Sequence, residues 1–343
     1  EAAVAKQFKG KATAVELNIT ALGLGRDYFK ENLTKSDPYV VEKRTIEKPQ
    51  FFIEGNEAAA LGCLYGGVQM LAWYPITPSS SLAEGIINYI PQLRTDDDGK
   101  VNCAVIQAED ELAAAGMVLG AGWAGGRGMT ATSGPGISLM QEFIGLGYFA
   151  EIPSVFWDVV RVGPSTGLPT RTQQSDITML YEGSHGDTQH IVIIPGTVEE
   201  CFEFGWRAFD YAERFQTPIF VMSDLDLGMN RWACDGFEYP DQDMDRGKVV
   251  RDRDVFEAFE EFGRYLDVDG DGIPYRTLPG SGMDPILYRG TGHNTKGVYS
   301  EKPHDYYELM QRLRKKIDGA RDELPAPILR EEEECEIGII YLG

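Results

Sequence analysis

Three consecutive acids, Glu109, Asp110 and Glu111, follow a short apolar strand pattern (Cys103 to Gln107) and head a helix rich in Ala and Gly. A carboxylate at the end of a strand and the start of a helix stands where open α/β sheets bind their ligands. The plain alternative is that all three acids complement the helix macrodipole. Ala113, Ala114, Ala115, Gly116 and Gly120 let something pack very close to this helix, which favours a site. Thr77, the turn Ser133 to Gly136 and the Gly/Pro/Thr-rich stretch Arg161 to Gln174 also follow strand patterns, so they can converge on one crevice with Glu111. That crevice would hold a carboxylate, two arginines (Arg161 and Arg171), hydroxyls and close-approach glycines. Arginine pairs bidentately with carboxylates, so an anionic small molecule is implied. A surface salt bridge is the usual fate of an arginine, but the Gly/Pro loop around Arg161 favours the site.

The elements that position these residues alternate. Residues 51–230 run through short apolar strands and helical patterns, with strands near Trp73, Cys103–Gln107, Gly128–Thr132, Ser154–Val160, His190–Ile194 and Pro218–Met222. Thr197-Val-Glu-Glu200 reads as a capping box that starts a further helix. Six strands alternating with helices predict a doubly wound, mostly parallel α/β sheet. Residues 1–50 read as an end-piece and linker, with strand character at Ala12 to Ile19 and a short helix to Tyr28. Residues 231–334 read as an irregular extension, an amphipathic helix from Tyr307 to Leu324, and a linker; residues 335–343 read as a strand opening a further α/β domain. Asp267, Asp269 and Asp271 look like the start of a calcium loop, but the closing glutamate position falls on Leu278, so a solvated acidic turn is the better reading.

Composition removes several classes. The 343 residues carry 54 acids against 32 Lys and Arg, a formal charge of −22, which repels nucleic acid and anionic membranes. No apolar run reaches the roughly 18 residues a membrane span needs. The five cysteines form no CxxC, and His185, His190, His293 and His304 lie in no metal spacing. No metal site is therefore expected from this chain alone, and the cysteine usage suits a reducing, cytoplasmic compartment. No Ser-His-Asp or Cys-His set is evident. Only seven of the basic residues fall between Phe51 and Asn230, which makes each arginine there individually interesting.

Four motifs occur in order: Gly55-Asn-Glu-Ala, Tyr74-Pro-Ile-Thr-Pro-Ser-Ser80, Thr132-Ser-Gly-Pro-Gly136 and Gly163-Pro-Ser-Thr-Gly-Leu-Pro-Thr-Arg171. Together they resemble the α subunit of 2-oxoacid:ferredoxin oxidoreductases, with a flavour closest to the 2-oxoglutarate enzyme. The resemblance covers about residues 50–343. It implies that residues 51–230 are the pyrimidine-type domain that binds thiamine diphosphate, and that residues 1–30 are the tail of a γ domain. It further implies a glutamate that hydrogen-bonds the pyrimidine ring, oxidative decarboxylation of a 2-oxoacid, and acyl transfer to coenzyme A. Thiamine enzymes commonly place Ala at +3 and +4 and Gly at +9 from that glutamate. Glu111 has Ala114, Ala115 and Gly120 there, whereas Glu109 has Leu112, Ala113 and Val118, so Glu111 is preferred and Glu109 is second. By the same resemblance Thr77 and Arg161 meet the 2-oxoacid, Arg171 is assigned to a distal carboxylate, and Pro75, Ile76, Ser133 and Gly134 border the cofactor. A β subunit would bring the diphosphate-binding domain, Mg2+ and a 4Fe-4S cluster, ferredoxin would take the electrons, and a dimer of heterodimers is expected. Pyruvate or branched-chain 2-oxoacids, or a non-catalytic regulatory role on the same fold, remain the alternatives.

Overall fold

In the computed structural model of the chain every residue is described except 44, 46–47, 49, 284–287, 331–335 and 343. The chain divides into two compact units, Glu1–Lys48 and Pro49–Gly343. The first contains helices α1 (Ala2–Gln7) and α2 (Ala12–Asn32), neither of which buries a residue. The strand expected at Ala12–Ile19 is instead part of one continuous helix. Ala, Leu and Glu dominate that run and favour helix. No other chain segment in this unit offers a strand to pair with, among the described residues.

The second unit is built on alternation. Its elements are β1 (Phe51–Glu54), α3 (Gly55–Tyr65), β2 (Met70–Trp73), α4 (Ser80–Leu93), β3 (Ala104–Gln107), α5 (Glu111–Trp123), β4 (Gly128–Thr132) and α6 (Gly134–Phe149). They continue with β5 (Ser154–Val160), α7 (Ile177–Tyr181), β6 (Ile191–Ile193), α8 (Val198–Phe215), β7 (Pro218–Asp224), α9 (Leu225–Met229) and β8 (Arg231–Cys234). Helices α10 (Arg253–Glu257) and α11 (Pro303–Ala320) lie in the extension. Six strands form one sheet in the order β3-β2-β4-β5-β7-β6 with parallel neighbours throughout. The expected doubly wound α/β fold is thus present. Strands β1 and β8 pair antiparallel as a separate two-stranded ribbon that the sequence reading did not anticipate.

The sheet is covered on both faces, and the strands show it. Along β5, Val155, Trp157 and Val159 belong to the core beneath α3, α4 and α8. Phe156 and Val160 point the other way, into the core with α5 and α6 residues such as Leu119, Ile137 and Met140. A strand buried on both faces reads as a continuous apolar run rather than an alternating one. Asp158 breaks that run, sits on the α6 side with Phe156 and Val160 by strand alternation, and is fully buried. The chain runs from β2 outward to β3, then crosses back so that β4 lies on the other side of β2. The strand order reverses there, and the crevice at the carboxyl ends of β2 and β4 is where such sheets take ligands.

Two buried charge clusters fix the extension. Glu151, in the left-handed region at φ 56°, is fully buried. It is paired with Arg312 and with Lys316 (2.8 Å), both on α11, and its carbonyl accepts from Arg264. Burial would raise the Glu151 pKa, but Arg312 and Lys316 outweigh it and hold the carboxyl well below the usual range. In the second cluster Arg127 reaches Glu213 (2.8 Å) and Asp210 (2.7 Å), and Arg246 and Arg276 also meet Glu213. Asp267 accepts the backbone N–H groups of Gly270, Asp271 and Gly272, and Lys248 pairs with Asp269 and Asp271. Among the described residues no three His, Cys, Asp or Glu side chains are grouped to hold a metal. Residues 336–342 pair with no strand among the described residues, while Cys335 and Gly343, the ends of the expected strand, lie outside them. Among the described residues no helix is long and apolar enough to cross a membrane.

Candidate active site

The three acids at the head of α5 separate by burial. Glu109 is exposed. Asp110 is the N-cap, and its side chain accepts from the Ala113 N–H at 2.7 Å. It therefore satisfies one of the helix's orphan donors, and the plain capping role belongs to it. Glu111 is the first helical residue and only 6% exposed. Its side chain packs against the first turn of α6, where Gly136 makes the room. A Cβ on Gly136 would stand 2.8 Å from Glu111 Cγ and 1.9 Å from Thr132 Oγ1. The glycine in this turn is thus a space requirement set by two buried side chains.

Strand β2 ends at Trp73 and delivers Tyr74, Pro75, Ile76 and Thr77; Tyr74 and Pro75 are exposed, and Ile76 and Thr77 half-buried. The Thr77–Pro78 peptide is cis. Asn56 of α3 secures the turn from below, donating to the Pro78 carbonyl at 2.9 Å and to Ser81 Oγ at 2.8 Å. Strand β5 delivers Arg161, which is 7% exposed. Its guanidinium donates to the Thr77 carbonyl and to the Thr166 carbonyl, each at 2.7 Å. It clamps the β2 turn to the loop that follows β5. Burial lowers the Arg161 pKa, while the nearby Glu111 carboxylate works the other way. The two charges therefore lie near each other at the carboxyl ends of the strands.

Structure sorts the remaining arginines. Arg127 lies in the buried cluster, Arg94 holds Asn102 and the Leu64 carbonyl, and Arg207 packs over Trp206. Arg171 is exposed, and among the described residues its side chain donates only to the carbonyl and hydroxyl of its neighbour Thr170. Its backbone is held in the loop by Val162 and Leu168. Of the seven arginines and lysines counted in this region, Arg161 and Arg171 are the two on the crevice loop.

Strand β4 delivers Ser133 and Gly134 at the start of α6. Ser133 is fully buried, and its Oγ has no hydrogen-bond partner among the described residues. An orphan hydroxyl, a buried carboxylate and a glycine cradle together fit a polar, planar ring whose edge needs an acceptor and a donor. The sequence reading passed over Asp158 and Asp176. Asp158 was detectable as the single charge in the otherwise apolar Val155–Val160; Asp176 carried no comparable signal.

Residues 61–269 match the family described as pyruvate flavodoxin/ferredoxin oxidoreductase, thiamine diphosphate-binding. The chain belongs to this family. It is 38% identical over 295 residues to the 2-oxoglutarate synthase subunit KorA of Methanothermobacter thermautotrophicus, covering 86% of this chain and 74% of that protein. It is 32% identical to the α subunit of 2-oxoacid:ferredoxin oxidoreductase 2 of Aeropyrum pernix, over 100% of this chain and 54% of that one. A 2-oxoglutarate:ferredoxin oxidoreductase from Magnetococcus marinus, solved with 2-oxoglutarate, coenzyme A and succinyl-CoA, superimposes with a TM-score of 0.80 at 30% identity. That match covers 94% of this chain and 54% of that one, so the chain spans about half the length of the longer family members. Members of the family are thiamine diphosphate-dependent 2-oxoacid oxidoreductases, and those named as α subunits work with other subunits.

Proposed function

We propose that this chain is the catalytic α portion of a coenzyme A-dependent 2-oxoacid:ferredoxin oxidoreductase that acts on 2-oxoglutarate. The overall reaction consumes 2-oxoglutarate, coenzyme A and oxidised ferredoxin and yields succinyl-CoA, CO2 and reduced ferredoxin. One observation carries the reading: Glu111 is buried under the Gly136 turn at the sheet's switch point, with the Arg161 clamp in the same crevice.

Residues able to hold the cofactor's pyrimidine are Glu111, Pro75, Ile76, Ser133 and Gly134. When bound, thiamine diphosphate supplies the nucleophilic carbon at which a 2-oxoacid is decarboxylated. Glu111 accepts a hydrogen bond from the ring in a crevice that excludes most water, so the bond keeps its strength. Ser133 offers its free hydroxyl to the ring edge. Arg161 keeps the β2 turn in place and presents positive charge toward a 2-oxo carboxylate, and Thr77 offers its hydroxyl beside it. Arg171 is the cation assigned to the distal carboxylate. In this proposal its bond to Thr170 is exchanged for the substrate. The diphosphate with its Mg2+, and the 4Fe-4S cluster that accepts electrons, belong to a β subunit. The assembly is a dimer of heterodimers in the cytoplasm.

The test is purification of the full-length chain with its partner subunit, followed by viologen reduction with each 2-oxoacid. Reduction dependent on both 2-oxoglutarate and coenzyme A supports the proposal. Reduction with pyruvate or a branched-chain 2-oxoacid alone moves the substrate. Absence of reduction with any 2-oxoacid, with the cofactors bound, overturns the catalytic reading in favour of a regulatory one.

A further inference from the structure

Asp158 is fully buried, and neither of its oxygens meets a hydrogen-bond donor. Oδ2 of Asp176 is also buried without a partner, although its Oδ1 accepts from Ser175 Oγ at 2.8 Å. These orphan atoms belong together. Asp158 is the sheet partner of Thr132, and a Cβ on Gly134, two residues later, would lie 2.5 Å from Asp176 Oδ2. Both carboxyls thus lie by the Thr132–Gly134 segment at the end of β4, close enough for Asp176 to act on Asp158. Two ionised carboxylates have no proton to share, and burying the Asp158 charge without a donor costs several kcal/mol. Glu111, Arg161 and Asp224 also follow the strands at this end of the sheet, but Asp176 is the charged group that acts on the Asp158 carboxyl. Among the described residues no cation pairs with either carboxyl.

We propose that Asp158 and Asp176 share one proton and that this bond closes the base of the loop carrying Arg161 and Arg171, beside the first turn of α6. Asp158 stands three residues before Arg161, and Asp176 closes the loop as the N-cap residue of α7. The bond therefore joins the two ends of the segment to each other beside Gly134. The pair is a positioning device: it touches no substrate and acts through the loop. Burial and then the neighbouring carboxyl raise the Asp158 pKa well above the usual range, in keeping with a retained proton. As pH rises through that raised value the proton is lost, the carboxylates repel, and the loop loosens.

The kinetic consequence rests on the reading of Arg161 and Arg171 as substrate-binding residues; the shared proton does not. The experiment uses the full-length chain with its partner subunit and has two readouts. Infrared difference spectra at neutral pH, wild type minus Asp158→Asn and wild type minus Asp176→Asn, report the carbonyl stretch of a protonated carboxyl. Limited proteolysis across a pH series reports loop opening between residues 161 and 176, with KM for the 2-oxoacid measured alongside. The expected result is a protonated-carboxyl band missing in either Asn variant, and cleavage and KM that rise at alkaline pH in the wild type only. Asn in either position donates to the remaining carboxylate, so these variants should lose the alkaline opening while keeping the closed loop. Asp158→Leu, with no donor, should be open at every pH. A missing band in the wild type overturns the shared proton. A band with the same pH dependence of cleavage in wild type and both Asn variants overturns the fastening role. Expected cleavage behaviour in an enzyme inactive toward every 2-oxoacid leaves the pair standing and removes the functional reading instead.

Discussion

The Arg161 guanidinium donates to the backbone carbonyl of Thr77, 84 residues earlier in the chain, at 2.7 Å. A second donor of the same group holds the Thr166 carbonyl at 2.7 Å. The residue proposed to meet an anionic substrate is thus also the clamp between the β2 turn and the loop after β5.

Arg161→Lys should separate these duties from simple charge. A lysine keeps the charge but not the planar fork that reaches two carbonyls in fixed directions. Hydrogen bonds from a charged group are worth about 1.5–3 kcal/mol. Loss of one should raise KM for the 2-oxoacid roughly tenfold or more, since about 1.4 kcal/mol is a factor of ten. Steady-state kinetics alongside limited proteolysis of the loop check this; unchanged KM with an intact loop would argue that Arg161 is neither clamp nor ligand.

Glu111→Gln should retain fold and partner binding and lower turnover by at least about 100-fold, the lower range for a positioned acid–base group. Glu109→Gln, on an exposed side chain, should leave turnover within a factor of about two. If the two results are reversed, the assignment passes to Glu109.

Gly136→Ala tests the cradle. The added methyl would lie 1.9 Å from Thr132 Oγ1 and 2.8 Å from Glu111 Cγ. Overpacking of this kind costs about 1–3 kcal/mol. A fall in thermal stability together with displaced Glu111 chemistry is expected, and pairing the change with Thr132→Ala should recover part of the stability.

The buried Glu151 predicts an acid-sensitive extension. Its folded pKa is depressed by Arg312 and Lys316, so its contribution is present above the unfolded value of 4.5 and lost as pH falls below it. Glu151→Gln strands two cations and should cost about 3–5 kcal/mol at neutral pH. Denaturant melts at several pH values, with hydrogen exchange of α11 as local probe, measure this. A stability loss of the same size at pH 3 and pH 7 would contradict the ion-pair account.

His190 is a second acid-labile point. Its ring is buried against Tyr148 and Phe220, donates from Nε2 to the Gly183 carbonyl at 3.1 Å, and leaves Nδ1 without a partner. Burial pushes its pKa down from 6.5 to about 4. The folded state keeps it neutral, so stability falls as pH drops through 6.5 toward 4. The full effect is roughly 3 kcal/mol at about 1.4 kcal/mol per pH unit. His190→Gln should flatten that part of the stability–pH curve; an unchanged slope would show that His190 is not its source.

Much of the architecture could be read along the chain. Apolar runs of strand length separated by Ala/Gly-rich helices gave six parallel strands, because local periodicity follows from which faces must be buried. The Glu111, Thr77, Ser133 and Arg161 segments could be placed at the carboxyl ends of those strands for the same reason. Charge and periodicity alone could not separate Glu109, Asp110 and Glu111. Burial did so, making one exposed, one a cap and one enclosed beneath Gly136. The β1–β8 ribbon joins segments about 180 residues apart, and no local signal encodes such a pairing. The long-range charge contacts were equally illegible. Glu151 meets Arg312 across 161 residues, and Arg127 meets Glu213 across 86. Asp158 is a charge inside an apolar strand, a signal passed over in the sequence, and only the folding of Asp176 back onto Gly134 gave it a partner. Sequence sets which faces are apolar and which turns are tight; the tertiary structure decides which buried charges meet, because that depends on the register of elements brought together from distant parts of the chain.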